Sequence, residues 1–537
     1  MADNNNNNQI TINSNQKNNN NTTKHAQQQP QQKLIVVENE EILTKLSPKV
    51  LQAYEQLVRE RTTVLSPSSS SSFCSQYVLT AKPVSGVGEN SYGLIMQVCV
   101  RPMAEEQQQQ KHATNGEEND NSAKETEVAT TKPSTNEFYS ILKLSPKNPA
   151  FRDHSHIPEL YHREVFLYQT VFDEFRQLCA GGEFDIVPEM WYSCLDYMDE
   201  FLICEDLGQS GHRQNVRTQM PTIDLASATF RSIAKFHAMS FILQSKKPQI
   251  FRNLIKDFSD NLFNENIDPI TIEFGKKYIR KTRVMLEQDM QRSSTSSSSS
   301  SSSILKQIEA LQKLEDNFKE VSMQCVNGAA MAPYAVICHG DFWNNNMLYK
   351  YDDHTNEAVS AKLIDFQLSR YASPVVDLMH YLCTSTDHDL RRVHFNELLD
   401  IYYAELTRHI EQHQLQMEDI YPKKVFFEQL HSIGIFGLCM AAFSIPFFIS
   451  NSSELPDLDE VATAIRDISS SSSENSEEEE GGAGGDADVQ SANAKRQELL
   501  DEYDLLTERT LPIFKKRMCG LVRDLQDYGV LEVVMKL

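Results

Sequence analysis

The chain has 537 residues, 40% hydrophobic and 23% charged, with 51 Lys and Arg against 75 Asp and Glu for a net charge of −24. That length exceeds one small domain and leaves room for two or three. The acid excess argues against nucleic acid or an anionic membrane as the main partner, since both need clustered Lys and Arg.

In chain order, residues 1–33 form an Asn/Gln-rich tail that is expected to be disordered and carries no apolar stretch of signal-peptide type. Residues 77–80 and 94–100 (LIMQVCV) read as strands around a glycine-containing turn, and Phe138–Leu144 (FYSILKL) as a third. Between the second and third lies 101–137, a disordered insert of the kind a solvent-facing hairpin tip accommodates. Residues 157–178 follow with helical spacing (Leu160, Glu164, Phe166, Leu167, Val171, Phe175), and Pro158 suits the first turn. The run 201–207 (FLICEDL) starts apolar and ends acidic. Helices are expected at 222–243 and 304–324, the second preceded by a disordered polyserine insert at 293–303. Short strands at 334–338, 346–351 and 361–364 precede a mostly helical remainder, interrupted by a disordered insert at 469–492. The uncharged stretch 433–449 holds Pro446 and is at the short limit for crossing a bilayer, so a buried helix is expected and no membrane span. The ten cysteines contain no CxxC pair and read as reduced thiols of a cytoplasmic protein. The whole order predicts an α+β protein of two lobes: a β-rich N-terminal lobe at 34–202, then a hinge and a larger helical lobe at 203–537.

The most informative stretch is 336–367, VICHGDFWNNNMLYKYDDHTNEAVSAKLIDFQ. Asp341 and Asp365 each follow a short apolar strand, and Asn346 lies five residues beyond Asp341. Phosphoryl transfer needs such a set: one carboxylate to orient a hydroxyl and take its proton, with an amide oxygen and a second carboxylate to hold Mg²⁺. Lys143, in an apolar strand, needs a partner for its ammonium, and Glu164 on a helix 21 residues later can supply it.

The HGD, the Asn at this spacing and the following Asp-Phe resemble the catalytic and metal-binding loops of protein-kinase-like small-molecule kinases, which include choline and aminoglycoside kinases. The wider sequence is more similar still to the arthropod ecdysteroid kinase-like (CHK kinase-like) family. The stretches that carry this are GVGENSYG at 86–93, ILKL at 141–144, YHREVFLYQTVFDEF at 161–175, FLICEDLG at 201–208, IAKFHAMS at 233–240, HGDFWNNNML at 339–348 and LIDFQLSRYASPVVDLMHYL at 363–382. The resemblance implies that Asp341 is the catalytic acid/base, that Asn346 and Asp365 bind Mg²⁺, and that Lys143 contacts the phosphates of ATP with Glu164 as its partner. It also implies that 86–93, with Gly88, covers the phosphates, and that backbone groups near Glu205 and Leu207 hold adenine. The implied activity is ATP- and Mg²⁺-dependent transfer to a hydroxyl of a small, largely apolar molecule, such as an ecdysteroid or xenobiotic alcohol, by a monomer. The alternatives are a choline- or aminoglycoside-type kinase acting on a polar alcohol, and a non-catalytic nucleotide-binding protein. Gln367 departs from the glycine that protein kinases carry after Asp-Phe, which argues against a flipping activation segment.

Other residues read more plainly. His339 is expected to hold its loop by hydrogen bonds, His237 to pack between helices, and Asp377 to cap or tie down the helix it opens. Trp343 either packs the loop or faces the acceptor. Phe426, Phe427, Phe436, Phe443, Phe447 and Phe448 are candidates for an apolar acceptor pocket.

Overall fold

A strand sends alternate side chains to opposite faces, and Phe138–Leu144 uses both. Leu142 and Leu144 enter a core shared with Val50, Tyr54 and Leu57 of the helix Pro48–Leu65. Tyr54 Oη and Ser140 Oγ meet at 2.9 Å on that same face. Ile141 and Lys143 point the other way, into a cavity. The computed structural model that shows this describes residues 34–65, 76–84, 92–103, 137–179, 184–292, 298–473 and 485–537.

The N-terminal region is built on one six-stranded sheet. Its strands are β1 (Ile35–Val37), β2 (Tyr77–Pro83), β3 (Leu94–Pro102), β4 (Phe138–Leu144), β5 (Met190–Cys194) and β6 (Phe201–Glu205), in the order β1-β2-β3-β4-β6-β5. β1 and β2 run parallel, and the other neighbours are antiparallel. Lys143 is paired with Ile95 on one side and Leu202 on the other, so the lysine sits in the middle of the sheet. The helix Ile157–Phe166 continues through a π turn, Leu167–Val171, into Phe172–Leu178.

The remainder is mostly helical and carries two small hairpins. β7 (Val336–Cys338) pairs with β10 (Arg370–Ala372), and β8 (Met347–Tyr351) with β9 (Ala358–Leu363), both antiparallel. The helix Ile223–Lys246 is buried along most of its length and packs against His388–Gln412 and β9. The apolar stretch forms the helix Phe436–Phe448, packed on Val375–Ser385. Among the described residues no single helix is long and apolar enough to cross a membrane, and Phe436–Phe448 meets its neighbour Lys423–Ile433 at 54°. The fold is therefore mixed α+β, with the sheet first and helices after it.

Two expected disordered inserts need correction. The helix Ser298–Asp316 begins inside the polyserine run of 293–303, with Ser303 Oγ donating to Gln526 Oε1 at 2.8 Å. The helices Leu458–Ser473 and Gly485–Glu502 extend into 469–492 from either side. Serine costs a helix only about 0.5 kcal/mol relative to alanine, so an apolar-faced helix propagates through it once nucleated. Residues 1–33, 293–297 and 474–484, and 104–136 of the remaining insert, lie outside the described residues. The helix expected at 304–324 is two, broken at Asn317.

The packing of Phe436–Phe448 on Val375–Ser385 depends on Gly437. A Cβ there would lie 2.4 Å from Cys383 Sγ and 2.6 Å from the Met379 carbonyl oxygen. Gly437→Ala should force the helices apart and cost about 1–3 kcal/mol, read as a lower denaturant midpoint.

Candidate active site

Lys143, on β4, reaches three acceptors. Its Nζ donates to Glu164 Oε2 at 2.7 Å, Asp365 Oδ1 at 2.8 Å and Gln367 Oε1 at 3.0 Å. Burial alone would lower the lysine pKa, but the Asp365 and Glu164 charges outweigh it and hold the ammonium above its ordinary value. The other oxygen of Glu164, Oε1, accepts from the Phe366 N–H at 3.3 Å. One carboxylate thus ties β4, its own helix and the segment after β9 together. Asp365 has φ +67°, a left-handed conformation uncommon outside glycine, in which its side chain meets the lysine. Phe366 anchors that turn, its ring lying 4.8–5.9 Å from those of His339, Phe172, Phe236 and Tyr168.

Asp341 stands on the loop after β7. Asn346 Nδ2 donates both to its backbone oxygen and to its Oδ2, each at 2.9 Å. Burial, then the nearby Asp365 charge, pushes the Asp341 carboxyl up to about 7 against the pull of Asn346. Because Nδ2 is engaged, the Oδ1 of Asn346 is the amide atom left for a cation. The loop turns at Gly340, φ +87°, where a Cβ would fall 1.8 Å from the Leu368 carbonyl oxygen, so no other residue fits.

Asp377 fixes this loop. Its Oδ2 accepts from His339 N–H at 2.7 Å and its Oδ1 from Gly340 N–H at 3.0 Å. His237 Nε2 adds a third donor at 3.1 Å, with Tyr402 Oη 2.9 Å from the other ring nitrogen. Burial opposes the Asp377 charge, yet these donors hold its pKa below the ordinary carboxylate value. Asp377 therefore ties down the Asp341 loop, a role one step beyond the helix anchor the sequence suggests. His339 is structural as expected: its Nε2–H donates to the Ile364 oxygen at 3.0 Å, and its Nδ1 accepts from Asp341 N–H at 3.3 Å. Burial pushes its pKa down, consistent with that neutral tautomer. Arg370, 2% exposed, bonds the Gly340 oxygen at 3.3 Å and pairs with Asp260 at 3.0 Å; its sequence context, SRYAS, gives no sign of this.

Two cavities meet here. One, of about 950 Å³, is lined by Lys143, Glu164, Asp341, Asn346, Asp365 and Gln367 and extends to Glu205 and Leu207. Asp206 stiffens that end, accepting from Gly208 N–H at 2.9 Å, Gln97 Nε2 at 2.6 Å and Gln209 Nε2 at 3.0 Å. The other, of about 410 Å³, is walled by Met440, Phe443, Phe447, Phe448, Ile465 and Tyr503, among others. Asp341, Trp343 and Tyr92 line both. Trp343 stacks on Phe448 with ring centroids 3.8 Å apart and planes 8° from parallel, so it both packs the loop and faces the apolar cavity. Three of the six candidate phenylalanines line that cavity. The other three do not: Phe426 and Phe436 are core residues, and Phe427 packs on Phe426. Phe443 and Phe447 lie one turn apart and both meet the Phe274 ring, Phe448 turns toward Trp343, and Phe426 points toward Tyr402 and Tyr421. Gly88 lies outside the described residues, while Tyr92 and Gly93 at the end of its segment line the larger cavity.

The model of the ecdysteroid kinase-like family matches residues 124–415, more than half of the chain and the whole span from Lys143 to Asp377. No curated protein matches the sequence.

Asp377→Ala would leave two loop N–H groups and a histidine without their acceptor in a dry site, at a cost of about 3–5 kcal/mol. Urea denaturation should show this as a lower midpoint. Because the native pKa of Asp377 is depressed, its stabilisation is present above the ordinary carboxylate range and lost as pH falls through the native value. The gap between wild type and Asp377→Asn should therefore close on acidification; a gap that widens would contradict the assignment.

Proposed function

The chain belongs to the ecdysteroid kinase-like family, and we propose that it transfers the γ-phosphate of ATP to a hydroxyl of a small, largely apolar molecule such as an ecdysteroid or xenobiotic alcohol. Membership implies a small-molecule phosphotransferase. The observation that carries the finer reading is the position of Asp341 at the seam of two cavities, one polar and large, the other apolar. In this reading the sheet region, 34–202, is the smaller lobe, and 203–537 provides the hinge and the larger one.

ATP would occupy the larger cavity, its adenine against the backbone at Glu205 and Leu207, a segment that Asp206 holds in shape. Lys143, oriented by Glu164, would meet the phosphates. Asn346 and Asp365 offer the hard oxygen ligands that Mg²⁺ prefers. The ion, when bound, supplies charge neutralisation on the phosphates. Asp341 Oδ2 is held by Asn346, which leaves Oδ1 for the acceptor hydroxyl. As the alcohol oxygen bonds to the γ-phosphorus, the bond from that phosphorus to the bridging oxygen breaks, ADP leaves, and the hydroxyl proton passes to Asp341. A carboxyl raised by burial is a better base than an exposed one, and the stacked Trp343 and Phe448 put an apolar wall beside it.

A cationic acceptor of the choline or aminoglycoside type would call for several acids around it. Among the described residues Asp341 is the one carboxylate on the wall of the apolar cavity, which favours an apolar alcohol. The test is incubation with ATP, Mg²⁺ and matched panels of steroid-like and polar alcohols, with mass spectrometry for the phosphate adduct. Phosphorylation should fall mainly on the first panel. Asp341→Asn should keep nucleotide binding and lose about 10²–10⁴ in turnover; undiminished turnover would remove the base assignment.

A further inference from the structure

A lysine ammonium has three N–H donors and no others. In Lys143 all three are committed, to Glu164, Asp365 and Gln367 at 2.7, 2.8 and 3.0 Å. A phosphate oxygen entering the larger cavity therefore meets a lysine with nothing left to donate. One of the three contacts must open first, and they are not equally easy to open.

Glu164 is 5% exposed in its side chain and held at both oxygens, by Lys143 and by Phe366 N–H. Gln367 is 1% exposed and follows Phe366, whose ring is fixed by four others. Asp365 is the loose member. Its side chain is 25% exposed, its backbone is in the strained left-handed region, and it is a carboxylate that a divalent cation attracts. A neutral amide has no comparable pull toward a metal, and moving it would break a packed turn.

Resting on the phosphotransfer reading, we propose that Gln367 makes nucleotide binding conditional on the divalent ion: by taking the third donor of Lys143, it leaves the lysine unable to grip a phosphate until the metal draws Asp365 away. Gln367 is thus a positioning residue, acting through Lys143 and not on the reacting atoms. With an apolar side chain in its place, Lys143 would keep one donor free, and nucleotide would bind with or without metal.

Isothermal titration calorimetry of ATP onto the full chain, in Mg²⁺ and in EDTA, tests this. Wild type should bind ATP at least about tenfold more tightly in Mg²⁺. Gln367→Met keeps the volume and removes the acceptor. Its affinity in EDTA should rise about tenfold over wild type, so that the ratio between the two buffers falls toward one. Gln367→Glu restores an acceptor and should retain the metal dependence, whatever the fate of the methionine variant. The proposal is overturned if Gln367→Met weakens binding equally in both buffers, if wild type binds equally well with and without metal, or if Gln367→Glu abolishes the dependence. Binding by wild type in neither buffer would remove the kinase reading itself, an outcome separate from the other three.

Discussion

The Lys143–Glu164 pair is the joint on which the site depends. Both groups are nearly dry, and removing Lys143 would leave Glu164 a buried, unpaired charge at a cost of about 3–5 kcal/mol. The pair does more than neutralise itself. Glu164 spends its second oxygen on Phe366 N–H, so the position of β4 is transmitted to the turn that carries Asp365 and Gln367. The π turn just beyond Glu164 adds a residue to the helical register, and Tyr168 on it and Phe172 after it meet the Phe366 ring. Electrostatics from one side and aromatic packing from the other hold the same three residues.

A second knot holds Asp341 without touching the first. Asp377 gathers two backbone N–H groups of the loop and a buried histidine, while Arg370 takes the Gly340 oxygen. The two knots are bridged by His339, which bonds the Ile364 oxygen next to Asp365 and sets its ring, tilted, 4.8 Å from that of Phe366. Such a network argues for a site built once on folding. Arg163 supports this, donating to the Ser369 oxygen at 2.6 Å just past Gln367 and so pinning the stretch that would have to move in a switching enzyme.

What could be read from the sequence follows from how local the signals are. The strands at 94–100 and 138–144, the helices around 157–178 and 222–243, and the Asp341, Asn346 and Asp365 set were legible because each shows in its own periodicity or spacing. β1 and β5 leave no such mark: β1 is three residues long, and β5 is defined by its partner β6 through an irregular register at Met190 and Tyr192. The helix Pro48–Leu65 also lies outside those expectations, although its apolar positions match the sheet it covers. Asp377 looked like a helix anchor because its loop partners lie 37 and 38 residues away. Serine runs misled in the opposite way, since composition speaks of isolated segments and not of helices that grow into them from packed neighbours.

The apolar cavity shows the same limit at a larger scale, and it bears on specificity. Its wall comes from the helices Phe436–Phe448 and Leu458–Ser473 and from residues 499–505, with Leu160 and Phe274 from elements far earlier. No window of sequence contains it. Ile465, Leu499 and Leu500 pack with Ile270 in a small cluster separate from the main core. The side facing Asp341 is the opposite case, with Trp343 stacked on Phe448 and carried on the tightly bonded loop. The wall is thus tied to the tightly bonded loop at the seam and built from a separate apolar cluster on its outer side. On the proposed phosphotransfer reading, shape at the seam would select for an alcohol, and the outer wall would set how large an apolar body follows it in.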